Sequence, residues 1–240
     1  MTMHVRDATK RTDKMFNNLK SIMSNIGVPG SSDRKIKATV ALSTLLYECS
    51  RNLLDKASRR IAIMVTSGYR TISTSALFVI AGMMPIVLKV QKRCQVYERG
   101  KDHRQETEKK VFKEWHNRWN KAEGETAGWT KRLIPDVQKW VNRKHGETNY
   151  YVTQILSGHG NFAKQTQRIG KNETSECWYG CEQDDTAEHT FFACAKWRNK
   201  KTTLEEQIGK NLTTRISWKQ NGKQRQVYRK RKLYAKGNRC

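Results

Sequence analysis

Apolar residues recur at helical spacing along most of this chain. Ala8, Met15, Phe16, Leu19, Ile22, Met23 and Ile26 follow a period near 3.6 until Gly27-Val28-Pro29-Gly30 ends the pattern, which predicts helix at the start. Ser31, Ser32 and Asp33 then offer N-caps for a second helix with Ile36, Val40, Leu45, Leu46, Cys49 and Leu53 on its apolar face. A third is expected from about Asp55, through Ile61, Met64 and Val65, to Gly68. A short apolar helix from Ala76 to Ala81 is stopped by Gly82 and Pro85. From Gln91 to Lys121 the chain is highly charged, yet Val111, Phe112, Trp115 and Trp119 share one helical face. Gly124 and Gly128 mark a loop. Trp129 to Val141 and Tyr150 to Leu156 read as two amphipathic helices around a polar turn at His145-Gly146. Period-two alternation is lacking, so little strand is expected outside the cysteine-rich segment described next.

The densest chemistry is Cys177-x3-Cys181-x7-His189-x4-Cys194. Three thiolates and an imidazole complete a tetrahedral zinc shell and leave no open position for water, so such a site is structural. A tight turn at Gly180 would join the first two ligands, and a short helix would carry His189 and Cys194. The competing explanation is four unrelated residues, which their rarity and closeness disfavour. Trp178 and Tyr179 could stack on unpaired bases or serve no such role, while Phe191 and Phe192 read as a miniature core for the module. The remaining cysteines are scattered: Cys49 and Cys94 lie among apolar neighbours and read as small buried hydrophobes, and Cys240 ends the chain. This is not a secreted disulfide framework, and it points to a reducing, intracellular compartment.

Charge adds a partner. The 240 residues hold 47 Lys and Arg against 22 Asp and Glu, a net charge of +25, which calls for a polyanion such as nucleic acid. Arg215 to Cys240 holds ten basic residues and no acidic one, and is expected to stay disordered until it meets that partner. Hydrophobic residues make up 36%, enough for a core in part of the chain. The longest apolar run, Ala76 to Leu88, has 13 residues and includes Pro85. A membrane span needs roughly 20, and Met1 to Lys20 is too polar for a signal segment, so no membrane partner is expected.

Several stretches together resemble one family. They are Ile134-Pro135-Asp136-Val137-Gln138-Lys139-Trp140, Arg143-Lys144-His145-Gly146, and Thr153-Gln154-Ile155-Leu156-Ser157-Gly158-His159-Gly160, followed by the cysteine pattern with Ala187-Glu188-His189-Thr190-Phe191-Phe192 and Cys194-Ala195-Lys196-Trp197. Upstream, Ser67-Gly68-Tyr69-Arg70-Thr71-Ile72-Ser73 and Val79 to Ile86 fit the same order. The order, from roughly Ile22 to Trp197, is similar to the carboxy-terminal part of the Pol polyprotein of arthropod non-LTR retrotransposons, the type-1 elements of ribosomal RNA genes in particular. The resemblance implies a parent RNA-directed DNA polymerase and endonuclease, with magnesium serving the parent polymerase only. This part would be a helical thumb and nucleic-acid-binding tail in target-primed reverse transcription. It implies RNA, DNA and the rest of the polyprotein as partners, and a nuclear protein with a cytoplasmic ribonucleoprotein stage.

Departures from the family qualify that picture. The polymerase palm signature, an aromatic residue, any residue, then Asp-Asp, is missing: Asp184-Asp185 follows Glu182-Gln183 and reads as a solvated turn. The amino-terminal nuclease residues are missing too. Pro135-Asp136 reads as a helix start rather than a nuclease motif, and His145 and His159 as polar contacts or turn residues. No catalytic residue is therefore expected in this chain. The expected fold class is mainly α: residues 1–125 a thumb-like helical region, 126–171 a helical linking segment, 172–200 a CCHC zinc knuckle and 201–240 a basic tail. Phosphate contacts are expected from Lys131, Arg132, Arg143, Lys144, Lys164, Arg168 and Lys171. Two alternatives fit the same residues: an inactive product of a decayed element, and a zinc-dependent protein-interaction module.

Overall fold

A computed structural model describes residues 51–122, 125–143 and 148–208, together with positions 14, 17, 18, 34–36, 38 and 39. Most of the expected opening helix and of the second, with Cys49, Lys144, His145 and the basic tail from Arg215, lie outside the described residues. Among those described the fold is helical, with no strand beyond one isolated bridge. The helices are α1 (Arg51–Thr66), α2 (Thr74–Ala81), α3 (Ile86–Arg99), α4 (Arg104–Lys121), α5 (Glu125–Leu133), α6 (Val137–Val141), α7 (Tyr150–Ser157), α8 (Ala163–Arg168) and α9 (Arg198–Ile208).

Helix α2 is apolar all round, and a helix of that kind has to be enclosed. Ala76 to Ala81 are all buried, and α1, α5, α6 and α7 pack around them. Both ends are capped as the sequence dictates. Ser73 Oγ accepts from the Ala76 N–H at 3.3 Å, and Gly82 adopts φ 64°, the left-handed cap that a glycine takes without strain. The preceding loop, Ser67 to Ser73, is held from α1. Arg59 donates to the carbonyls of Arg70 (2.7 Å) and Ile72 (2.9 Å) and to Thr74 Oγ1 (2.7 Å).

The charged stretch from Gln91 resolves into two helices. Gly100, at φ 90°, ends α3, and a short 3-10 turn leads into α4, whose Val111, Trp115 and Trp119 are buried. The single helix expected from Trp129 to Val141 is also two. Pro135 disfavours helical backbone at Ile134, and the Asp136 carboxylate accepts from the Lys139 N–H at 3.0 Å to begin α6. The break has a use: the Ile134 carbonyl accepts from the buried Trp119 indole at 2.9 Å. Cys94 is exposed, against expectation, because α3 buries only Ile86 and Leu88 at its first turn.

Buried polar side chains bind the helices to one another. Thr153 Oγ1 donates to the Thr66 carbonyl (2.6 Å), Thr130 Oγ1 to that of Leu156 (3.0 Å), and the Trp129 indole to that of Ile155 (2.8 Å). His159 is buried as a polar contact, its Nδ1 2.8 Å from Thr71 Oγ1. One core runs from Ala57 through Leu156 and Phe162 to Ala187. Among the described residues no single helix is long and apolar enough to cross a membrane. Helices α2 and α3 pass such a test only as a pair bent by 63°.

Gly158 ends α7 at φ 70°, and a Cβ there would stand 3.0 Å from Trp129 Cδ1. Gly158→Ala should therefore cost about 1–3 kcal/mol, from left-handed backbone plus crowding. Urea unfolding should show a lower midpoint at unchanged slope. An unchanged midpoint would refute this account of the glycine.

Candidate metal centre and the surface around it

The backbone from Ser175 to Cys194 is shaped to converge four side chains. Cys177 N–H donates to the Gln183 carbonyl at 2.8 Å and Asp185 N–H to that of Ser175 at 2.7 Å, which makes the antiparallel bridge Glu176↔Asp184. Gly180, at φ 70°, turns the chain inside this bridge and brings Cys181 back beside Cys177. The second pair comes from a wide turn. His189–Ala193 is a π-helical turn closed by Cys194 N–H on the His189 carbonyl at 2.8 Å. Its start is capped by Thr186 Oγ1, which accepts from the His189 N–H at 3.0 Å. One residue more per turn than an α-helix allows places His189 and Cys194 on the same side.

The ligand atoms of Cys177, Cys181, His189 and Cys194 all lie within 4.8 Å of one another. Sγ of Cys194 is 3.8 Å from Sγ of both Cys177 and Cys181. That is far beyond a disulfide bond of about 2.05 Å, and it equals the edge, about 3.8 Å, of a tetrahedron with metal–sulfur bonds of about 2.3 Å. His189 Nδ1 is 3.0 Å from Gln183 Oε1. An amide oxygen only accepts, so Nδ1 carries the proton and Nε2 keeps a lone pair. Nε2 is buried and has no hydrogen-bond partner. A buried ring nitrogen without a hydrogen-bond partner, on a histidine gathered with three cysteines, fits a metal ligand. The cluster can hold a metal ion, and its donors and spacing are compatible with structural zinc. Gln183 went unnoticed in the sequence because a lone glutamine carries no spacing signal.

The thiols differ in acidity. The Ala195 backbone N–H, donating to Cys181, leads the effects that hold that thiol below its ordinary value. Burial pushes Cys194 up to about 12. At neutral pH the Cys194 thiol without metal is therefore protonated, and a metal ion has to displace that proton to bind.

The segment is fastened to the helical body by carboxylates. Asp185 is buried rather than solvated as the sequence suggested: its carboxylate accepts from the Ala163 N–H at 2.9 Å and from Thr190 Oγ1, and its carbonyl accepts from the Lys164 N–H at 3.2 Å. Asp184 stays exposed and pairs with Lys164 at 2.8 Å. Glu188 receives both guanidinium nitrogens of Arg132, at 3.0 and 2.9 Å. Phe192 meets Trp129 edge-on, with ring centroids 6.4 Å apart, and so joins the main core rather than a miniature one. The metal-side cluster consists instead of Cys177, Cys194 and Trp197, with Cys181 against them.

The basic residues expected to meet phosphate divide into groups. Lys131 donates to the carbonyls of Asn120 (2.9 Å) and Ala122, closing the end of α4. Arg143 lies 3.6 Å over the Trp140 ring and donates to the Trp140 carbonyl. Arg132, Lys164 and Arg168 come together around one cleft beside Trp129 and Phe162, and Lys171 is exposed after α8. Trp178 and Tyr179 are 56% and 45% exposed, high for aromatic rings in a small module. Two lysines not singled out from the sequence lie over aromatic rings here: Lys196 sits 5.4 Å over Tyr179, and Lys200 4.7 Å over the buried Trp197.

Two curated proteins of Nasonia vitripennis resemble this chain. One is the retrovirus-related Pol polyprotein from type-1 retrotransposable element R1 2, at 27% identity over 183 residues, covering 68% of this chain and 44% of the relative. The other is the corresponding polyprotein from element R1 4, at 22% identity over 224 residues, covering 81% of this chain and 56% of the relative. The chain thus spans about half the length of the curated relatives it matches. No family model matches it, and no solved structure does either. The resemblance to part of a non-LTR Pol polyprotein stands on these two relatives, and it supports a retrotransposon-derived protein.

Metal uptake should release protons, since Cys194 in particular begins as a thiol. Apparent affinity should then rise with pH up to the thiol range and fall about tenfold per pH unit on acidification for each proton displaced. Competition titrations with a chromophoric chelator at several pH values would measure it, and a pH-independent affinity would refute thiolate ligation. Gln183→Ala should weaken binding about 10–100-fold while leaving the stoichiometry at one. An unchanged affinity would remove Gln183 from the site.

Proposed function

We propose that this chain is the carboxy-terminal part of a non-LTR retrotransposon Pol polyprotein, acting as a nucleic-acid-binding thumb and zinc knuckle in target-primed reverse transcription. The observation that carries the reading is the closed Cys177, Cys181, His189 and Cys194 set beside exposed Trp178 and Tyr179, in a chain of net charge +25. Three sulfur donors and one imidazole favour zinc over magnesium or calcium, which prefer oxygen. Four protein ligands fill the shell, so the metal's work is to hold the knuckle folded. The two Nasonia polyproteins support the parentage.

In this reading residues 1–125 form the thumb-like region, 126–171 the helical linking segment, 172–200 the knuckle and 201–240 the basic tail. RNA and DNA are its partners, with the remainder of the polyprotein, in a nuclear protein with a cytoplasmic ribonucleoprotein stage. Bases stack on Trp178 and Tyr179 while Lys171, Lys196 and Lys200 neutralise phosphates. Such contacts give affinity with little sequence information. Polymerase and nuclease chemistry belong to the parent.

Titrating fluorescent single-stranded RNA with the zinc-loaded chain across a salt series tests this. Log affinity should fall linearly with log salt, at about −0.7 per phosphate neutralised. Removing Arg215 to Cys240 should flatten that slope. Replacing Trp178 and Tyr179 together by Ala should weaken binding about tenfold or more at nearly unchanged slope. RNA binding that is absent at low salt would overturn the reading and favour a protein-interaction module or the product of a decayed element.

A further inference from the structure

Helix α3 leaves most of its length off the core, since it buries only Ile86 and Leu88 at its first turn. Along the remainder, Lys89, Arg93 and Tyr97 recur every fourth residue, which sets them on one side of the helix about 6 Å apart along its axis. Like charges at this spacing destabilise a helix, and here no carboxylate offsets them. Glu98, the only acid in α3, falls on another face. On the facing helix, Glu108 is paired with Lys92 at 3.0 Å, and Glu114 is occupied by Gln91 and Arg118. Among the described residues neither Lys89 nor Arg93 has a hydrogen bond or an ion pair.

Lys89 is the sharper case. It is half-buried, and burial, then the charges of Arg93 and Lys92, hold its amine below the ordinary lysine value. A desolvated cation without a partner costs the free protein stability. The amine can still be reached by a ligand, because Lys89 lines a cavity of about 300 Å³ with Met83, Met84 and Phe112. Tyr97, two turns on, is 91% exposed and joins no ring contact or hydrogen bond among the described residues. A lone exposed aromatic means little. In line with two unpaired cations, it completes the combination that binds a single strand: positive charge for phosphates and a ring for an unpaired base. A duplex keeps its bases stacked inside, and an acidic peptide has none, so neither would use the ring.

We propose that the Lys89, Arg93 and Tyr97 side of α3 binds a nucleic-acid single strand, with phosphates at the two cations and a base on Tyr97. The proposal rests on the nucleic-acid reading above and adds a contact surface on a different element from Trp178 and Tyr179.

Anisotropy titrations of fluorescent oligouridine with the full, zinc-loaded chain, repeated across a salt series, test it. Lys89→Gln and Arg93→Gln should each flatten the log–log salt slope by about 0.7, the loss of one phosphate contact. Tyr97→Ala should weaken binding about tenfold at unchanged slope, and Tyr97→Phe, which keeps the ring, should restore it. Tyr97→Ala should not weaken binding to a duplex of the same length. Lys56→Gln, an equally unpaired and exposed cation at the start of α1, should leave the slope unchanged. Lys89→Gln should also keep or raise the midpoint of urea unfolding, because it removes a repelled charge that has no partner to lose. A lowered midpoint would mark Lys89 as structural and overturn its assignment.

Equal slope changes from Lys56→Gln and the α3 variants would mean diffuse charge, and a neutral Tyr97→Ala would remove the base; either overturns the surface. Polyglutamate that competes as well as RNA, with the same dependence on Lys89 and Arg93, would replace the strand with an acidic protein. Binding unmoved by all three α3 changes but weakened by loss of Trp178 and Tyr179 would overturn this surface alone. No RNA binding by the unaltered chain at low salt would instead refute the broader reading.

Discussion

The arrangement of this molecule turns on one buried carboxylate. Asp185 accepts from the Ala163 N–H, at the first residue of α8, and from Thr190 in the π-helical turn. It therefore ties the helical body to the segment that carries the candidate ligands from both sides. A carboxylate taken out of water is costly unless it is fully hydrogen-bonded. That cost makes the geometry selective: moving the segment by an ångström would leave the charge buried and unsatisfied. The exposed pairs of Arg132 with Glu188 and Lys164 with Asp184 orient the same junction but contribute little in strong solvent screening.

The candidate ligand set and the packing on the body share that junction. The π-helical turn that aims His189 at the thiols also carries Thr190 toward Asp185 and Phe192 toward Trp129. Structural zinc supplies on the order of 10 kcal/mol to small modules of this kind. Here part of that free energy would be expressed as a fixed position on α5 and α8, rather than as a module that swings independently. The buried α2, with α1, α5, α6 and α7 around it, gives the fixed side of the junction its rigidity.

Much of this was legible in the sequence because it depends on local rules. Helix α2 was visible as an apolar run with a glycine stop, α1 and α7 as periodic faces, and the ligand set as rare residues at close spacing. What escaped was decided by tertiary partners. Asp185 looks like any solvated turn residue, since nothing in Glu182-Gln183-Asp184-Asp185 reveals that Ala163 and Thr190 will enclose it. Gln183 needed the knowledge that the His189 ring would face it. Phe192 read as the core of its own module because its partner, Trp129, lies far upstream in the chain. The break between α5 and α6 was signalled by Pro135-Asp136. The surrounding apolar period, from Trp129 to Val141, continued through it and concealed the stop.

Charge was the least legible quantity, for a physical reason. A lysine or arginine in sequence has no orientation, and the same guanidinium can satisfy a carbonyl, lie on an indole or meet a phosphate. Lys131 closes the end of α4, and Arg143 covers Trp140. Arg132 is held flat and partly exposed beside Lys164 and Arg168. These residues were indistinguishable as members of a +25 chain. The fold separates them by what each one touches, so net charge predicts the class of partner while only packing assigns the contacts. A cation spent on a backbone carbonyl supports the helix that carries it, whereas one paired with a surface carboxylate joins two segments of the chain. The second kind, Arg132 on Glu188 and Lys164 on Asp184, sits where the segment from Ser175 to Cys194 meets α5 and α8.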